Sequence, residues 1–77
     1  ENELTNNFNV YSYDKNVVVK SKDFSDYTVT VYNLNGQVVL NEVSNGDNKF
    51  TLNVSKGMYA VNVNNGTESF NQKIVIQ

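Results

Sequence analysis

Three of the four glycines in this 77-residue chain follow an asparagine: Asn35-Gly36, Asn45-Gly46 and Asn65-Gly66. Asn-Gly is the preferred pair for a two-residue type I′ hairpin, because both central residues must adopt φ > 0. Around these pairs apolar and polar residues alternate with a period of two, and no stretch shows the period of an amphipathic helix. Phe50, Leu52 and Val54 against Lys49, Thr51 and Asn53 give the clearest case, a half-buried strand. The pattern predicts seven strands: Phe8–Tyr13, Asn16–Lys20, Tyr27–Asn33, Gln37–Val43, Asn48–Val54, Met58–Asn64 and Glu68–Ile76. Glu1 to Asn7 is polar and lacks alternation, so it reads as the end of a linker, with the domain occupying residues 8–77.

Short strands with turns about every 8–12 residues point to an all-β, immunoglobulin-like antiparallel sandwich of two sheets. A two-residue turn at Asn35-Gly36 sets a register that the side chains can test. It places Val31 opposite Leu40, Val29 opposite Glu42 and Asn33 opposite Val38 on one face, with Tyr32 opposite Val39 and Thr30 opposite Asn41 on the other. The same turn at Asn65-Gly66 pairs Val61 with Phe70 and Val63 with Glu68, and sets Gln72 against Tyr59. Gln72 then either sits at the rim or is displaced by a bulge near Asn71, and the bulge is the reading preferred here. The predicted core is Val10, Val17, Val19, Val29, Val31, Val38, Leu40, Phe50, Leu52, Val54, Tyr59, Val61, Val63, Ile74 and Ile76.

A domain of this size buries only roughly 60% of the surface its unfolded chain exposes, so a staple would help it. The chain has neither Cys nor His. Disulfides and thiolate metal sites are excluded, and the usual zinc ligand is missing. Ser-His, Cys-His and metal-water routes to hydrolysis cannot be assembled either. What remains is carboxylate, Lys or Tyr chemistry, which needs a pocket that a small sandwich rarely forms; a non-catalytic domain without cofactor is expected. Asp47 beside Asn45 and Asn48 supplies one carboxylate in a turn, a poor calcium site. The net charge is −2, and the six basic residues are all Lys. Without Arg the bidentate recognition of phosphate and guanine is lost, so no nucleic-acid partner is expected. No apolar run approaches the roughly 18 residues of a membrane helix, so the chain is not expected to span a membrane. It carries no signal peptide and opens on Glu1 rather than Met, as a segment of a longer polypeptide would. Asn53-Val54-Ser55 and Asn65-Gly66-Thr67 match the N-glycosylation pattern, as chance allows in a chain this rich in Asn.

Three stretches read in order carry a family resemblance. Val31-Tyr32-Asn33-Leu34-Asn35-Gly36-Gln37-Val38-Val39 is similar to an "x-Tyr-Asp-Leu-x-Gly-Lys-Val-Val" hairpin, with Asn33 in the Asp position. Lys56-Gly57-Met58-Tyr59-Ala60-Val61-Asn62-Val63 is similar to a "Gly-x-Tyr-x-Val-x-Val" strand. Gln72-Lys73-Ile74-Val75-Ile76 is similar to a closing "Lys-aliphatic" strand. Together they resemble the type A C-terminal sorting domain of type IX secretion substrates in Bacteroidota, over residues from about Phe8 onward. Tyr11-Ser12-Tyr13 stands where that family commonly carries Pro-Asn-Pro.

The resemblance implies an address carried behind an N-terminal cargo domain in the same chain. The cargo would fold in the periplasm, and an outer-membrane translocon or shuttle protein would recognise the sandwich. A gingipain-like sortase would cut just upstream, leaving the cargo at the cell surface or secreted. The sorting motif it implies is Gly36, Gly57, Tyr59, Lys73, Ile74, Val75 and Ile76. Each of these residues also has a plainer role. Gly36 serves a turn, and Gly57 either relaxes the backbone where its strand starts or touches a partner. Tyr59 packs in the core or at a corner, its hydroxyl bonded to backbone. Lys73 either keeps an edge strand soluble or is read by the machinery. Two other readings stay open, a spacer or adhesion module of a surface protein and a carbohydrate-binding module.

Overall fold

A computed structural model describes residues 8–22 and 26–77. The proposed linker, residues 1–7, lies outside the described residues. Seven strands follow one another: β1 (Phe8–Tyr13), β2 (Asn16–Ser21), β3 (Asp26–Tyr32), β4 (Val38–Asn45), β5 (Asn48–Thr51), β6 (Gly57–Asn64) and β7 (Ser69–Ile76). They form two antiparallel sheets with the orders β1-β2-β5 and β4-β3-β6-β7. The expected antiparallel sandwich is therefore the observed fold. Chain connections pass between the sheets after β2, β4 and β5.

Alternation explains which side chains meet between the layers. Val17 and Val19 project from the three-stranded sheet, and Val29, Val31, Val61 and Val63 from the four-stranded one; all six have zero exposure. In the central pairing Val29 lies opposite Val63 and Val31 opposite Val61. Phe8, Val10, Tyr27, Leu52, Tyr59, Ile74 and Ile76 complete the core, with Leu40, Phe50 and Val54 only partly buried against it. Phe8 and Tyr27 were not in the predicted core. They extend the Val10 and Val29–Val31 alternation by one step, and their rings meet edge-to-face with centroids 5.5 Å apart. Tyr27 is buried because its hydroxyl donates to the Gly46 carbonyl and accepts from Asn48 Nδ2 at 3.4 Å.

Val38, placed in the core by the sequence reading, is instead exposed on the outer face. The cause is the hairpin tip. Gly36 N–H donates to Asn33 O (3.0 Å) and Asn33 N–H to Gln37 O (2.9 Å), closing a three-residue loop with Gly36 at φ 85°. Asn35 is not at positive φ, so the turn is not type I′. A three-residue loop of this kind combines a type I turn with a left-handed glycine. Asn33 organises it, its Oδ1 accepting from the N–H groups of Asn35 (2.9 Å) and Gln37 (3.0 Å). The extra loop residue puts Val38 opposite Tyr32 rather than Asn33, and a bulge at Val39 restores the expected register. Below it, Val31 faces Leu40, Thr30 faces Asn41 and Val29 faces Glu42, as the sequence reading required.

The other two Asn-Gly pairs also depart from two-residue hairpins. At Asn65-Gly66 the loop runs from 65 to 68, and Asn65 Oδ1 accepts from the N–H groups of Thr67 (2.9 Å) and Glu68 (2.7 Å). Two extra residues shift the register by two, so Val63 faces Phe70, Val61 faces Gln72 and Tyr59 faces Ile74. The pairings of Val61 with Phe70, Val63 with Glu68 and Tyr59 with Gln72 are thereby corrected. No bulge is needed near Asn71, because a shift of two preserves which face each residue occupies. Asn45-Gly46 joins β4 to β5 across the sheets instead of making a hairpin.

Val61→Ala removes two methyls from the zero-exposure core and should cost roughly 1–3 kcal/mol. Against a total of about 5 kcal/mol, the urea midpoint must fall visibly; an unchanged midpoint would place Val61 outside the core. Gly36→Val meets no atom within 4 Å of the added Cβ, so its cost is backbone strain alone. We expect a loss of about 1–3 kcal/mol by the same titration.

Candidate functional site

The three motif segments, far apart in sequence, zip together in space. Gly57 pairs with Ile76, Met58 with Val75, Tyr59 with Ile74 and Ala60 with Lys73, while Tyr32 pairs with Ala60 on the other side. The hairpin tip, the start of β6 and the end of β7 thus share one end of the four-stranded sheet. Small depressions of about 220 and 120 Å³ lie there, between Asn33 and Leu34 of the tip and Met58 and Tyr59 of β6. Lys56 borders the larger and Lys73 the smaller.

Alternation divides the motif into buried and presented residues. Ile74 and Ile76 belong to the core, as does Tyr59, whose Oη donates to Ser55 O at 2.6 Å and ties the β5–β6 connection to the sheet. Gly57 has φ 148°, a conformation that L side chains rarely adopt, and open space around its Cβ site. Gly36 sits at the exposed tip. Of the closing motif residues, Lys73 and Val75 are exposed where Ile74 and Ile76 are buried.

The outer face of the four-stranded sheet has two halves. Toward the motif end, successive rows read Met58–Val75 and Val38–Tyr32–Ala60–Lys73, with Leu34 at the tip 81% exposed. Toward the other end they read Asn41–Thr30–Asn62–Asn71 and Val43–Thr28–Asn64–Ser69. Amides tie this second half together: Asn41 Nδ2 donates to Thr30 Oγ1 (3.0 Å), and Asn62 Nδ2 to Asn71 Oδ1 (2.8 Å) and Ser69 Oγ (3.0 Å). One half is therefore apolar with a lysine at its margin, and the other is mainly polar, with Val43 as an exposed apolar exception. Met58 and Ala60 were missed as site residues by sequence reading. The signal was present, since residues flanking an inward Tyr59 must point outward.

The edge of β7 is partly occupied. Val75 O accepts from Ser12 Oγ at 3.1 Å, Lys73 O from Gln72 Nε2 at 3.2 Å, and Gln77 N–H donates to Asp14 O at 3.1 Å. Among the described residues no three acidic, Cys or His side chains gather as a metal site, and no helix is long and apolar enough to cross a membrane.

A family model described as a secretion system C-terminal sorting domain matches residues 4–77. No curated protein matches the chain.

Tyr59→Phe keeps the ring and deletes the bond to Ser55 O, which should cost about 1 kcal/mol. Equal urea midpoints for the variant and the parent would show that the hydroxyl bond contributes nothing.

Proposed function

The chain belongs to the family of type IX secretion C-terminal sorting domains, and from that premise we propose that it is a non-catalytic address read at its motif corner. It marks an attached N-terminal cargo for export across the outer membrane, to the cell surface or beyond. In this reading the cargo reaches the periplasm by its own signal peptide and folds there. An outer-membrane translocon or shuttle then binds the sandwich, and a sortase cuts upstream, in or near residues 1–7. The observation that carries the reading is the convergence of Leu34, Met58, Lys73 and Val75 on one exposed apolar corner, built by cross-strand pairing of all three motif segments. An exposed apolar patch with a charged margin is the usual mark of a protein-binding surface.

The test is a fusion of this domain behind a Sec signal peptide and a periplasmic passenger, in a type IX-competent host. Passenger should appear outside the cell, shortened by about the domain's 8.7 kDa. Lys73→Ala should stay within about 0.5 kcal/mol of parental stability, as exposed substitutions generally do, and should lose export. Deletion of residues 73–77 is a weaker test, because it also strips Ile74 and Ile76 from the core. Retention of the intact, folded fusion in the periplasm would overturn the proposal.

A further inference from the structure

Four exposed apolar side chains line one seam. Tyr11 (43% exposed) and Tyr13 (46%) stand on the outer face of β1, and Met58 (45%) and Val75 (50%) on the outer face of β6 and β7. β1 is an edge of the three-stranded sheet and β7 an edge of the four-stranded one. Where these edges meet, a groove of about 410 Å³ opens, with Tyr11 and Tyr13 on one wall and Met58, Lys73 and Val75 on the other. The core is complete without either tyrosine. Tyr11 lies across the strands from the buried Val18, while Tyr13 stands opposite Asn16 and covers no core residue in that pairing.

Charge narrows the occupant. Lys73 lines the groove and no acidic residue does. Among the described residues the ion pair is Lys20–Asp47, at the far end of the sandwich. No Asp or Glu side chain among the described residues lines the groove beside the Lys73 ammonium. The backbone supplies a second restriction. Ser12 and Gln72 already donate to the Val75 and Lys73 carbonyls, so a strand added here would have to displace both bonds. Recognition by side chains meets no such competition.

We infer that this β1–β7 seam is a docking groove for an apolar protein segment bearing a carboxylate, with Tyr11 and Tyr13 as anchors and Lys73 as the ionic contact. The inference rests on the sorting reading for where the partner resides, namely in the export machinery. It also makes the first strand part of the recognition surface, which the motif residues alone do not. Tyrosine suits the role because it supplies a large rigid contact with one polar tip, as binding hot spots do.

The fusion described above, carrying Tyr11→Ser with Tyr13→Ser, should show about tenfold less exported passenger, the loss typical of removing an aromatic anchor. Val43→Ser, 68% exposed at the opposite end of the outer face, should export normally. Tyr11 neighbours the buried Val18 across the strands, so Tyr13→Ser alone serves if the double variant melts early. Benzoyl-phenylalanine in place of Tyr13 should photo-crosslink to a protease-digestible partner, and the same group in place of Val43 should not. Normal export of the folded double variant overturns the groove and leaves the sorting reading intact. If the parental fusion itself is not exported, the sorting reading fails and the crosslinks alone decide the groove. No crosslink specific to position 13, a crosslinked pair of fusions, or a protease-resistant glycan adduct would each overturn it.

Discussion

The pairing of β3 with β6 holds the rest of the molecule in place. Val29 and Val31 face Val63 and Val61 across the centre of the four-stranded sheet, and none of the four retains any exposure. Full burial of such a side chain is worth roughly 1.5–3 kcal/mol. With no disulfide available, this quartet and its counterparts Val17 and Val19 carry much of the stability. The same ladder has a second consequence. Continuing it past Val31–Val61 brings Tyr32 to Ala60, and β7 then adds Lys73 to the same row. The core pairing and the assembly of the motif corner are one piece of geometry.

A small sandwich exposes much of both sheets, and this one covers them in different ways. Amides bonded to one another and to hydroxyls occupy half of the outer face of the four-stranded sheet, satisfying their polar groups without charge. At β7 the side chains of Ser12 and Gln72 take backbone carbonyls that would otherwise be free to pair with another strand. Against that background the apolar corner and the tyrosine seam stand out as surface with no internal partner. The edge is closed to strand addition at the carbonyls where the side-chain groove is open.

The loops show how much of this was legible beforehand. Period-two alternation located all seven strands and the burial of Val10, Val17, Val19, Val29, Val31, Leu52, Val61 and Val63, because burial on one face of a strand is written into its own residues. Asn-Gly pairs correctly marked places where the chain turns, but not how many residues each turn uses. The same dipeptide closes a three-residue loop at Gly36, lies in a four-residue one at Gly66, and crosses between sheets at Gly46. The choice depends on which neighbouring side chains cap the turn. Asn33 does so in the first case and Asn65 in the second.

From the residues alone came the all-β class, the strand positions, most of the core and the three ordered motif segments whose resemblance points to a sorting domain. These are local properties, decided within a few residues by alternation and turn chemistry. Only the tertiary structure decided the register in which Gly57–Ala60 and Lys73–Ile76 pair, and that Val38 faces outward. It alone brought Tyr11 and Tyr13 to Lys73, from opposite ends of the chain. Register and sheet order are long-range quantities. They emerge when turn length, bulges and layer packing are satisfied together, and no window of sequence contains all three.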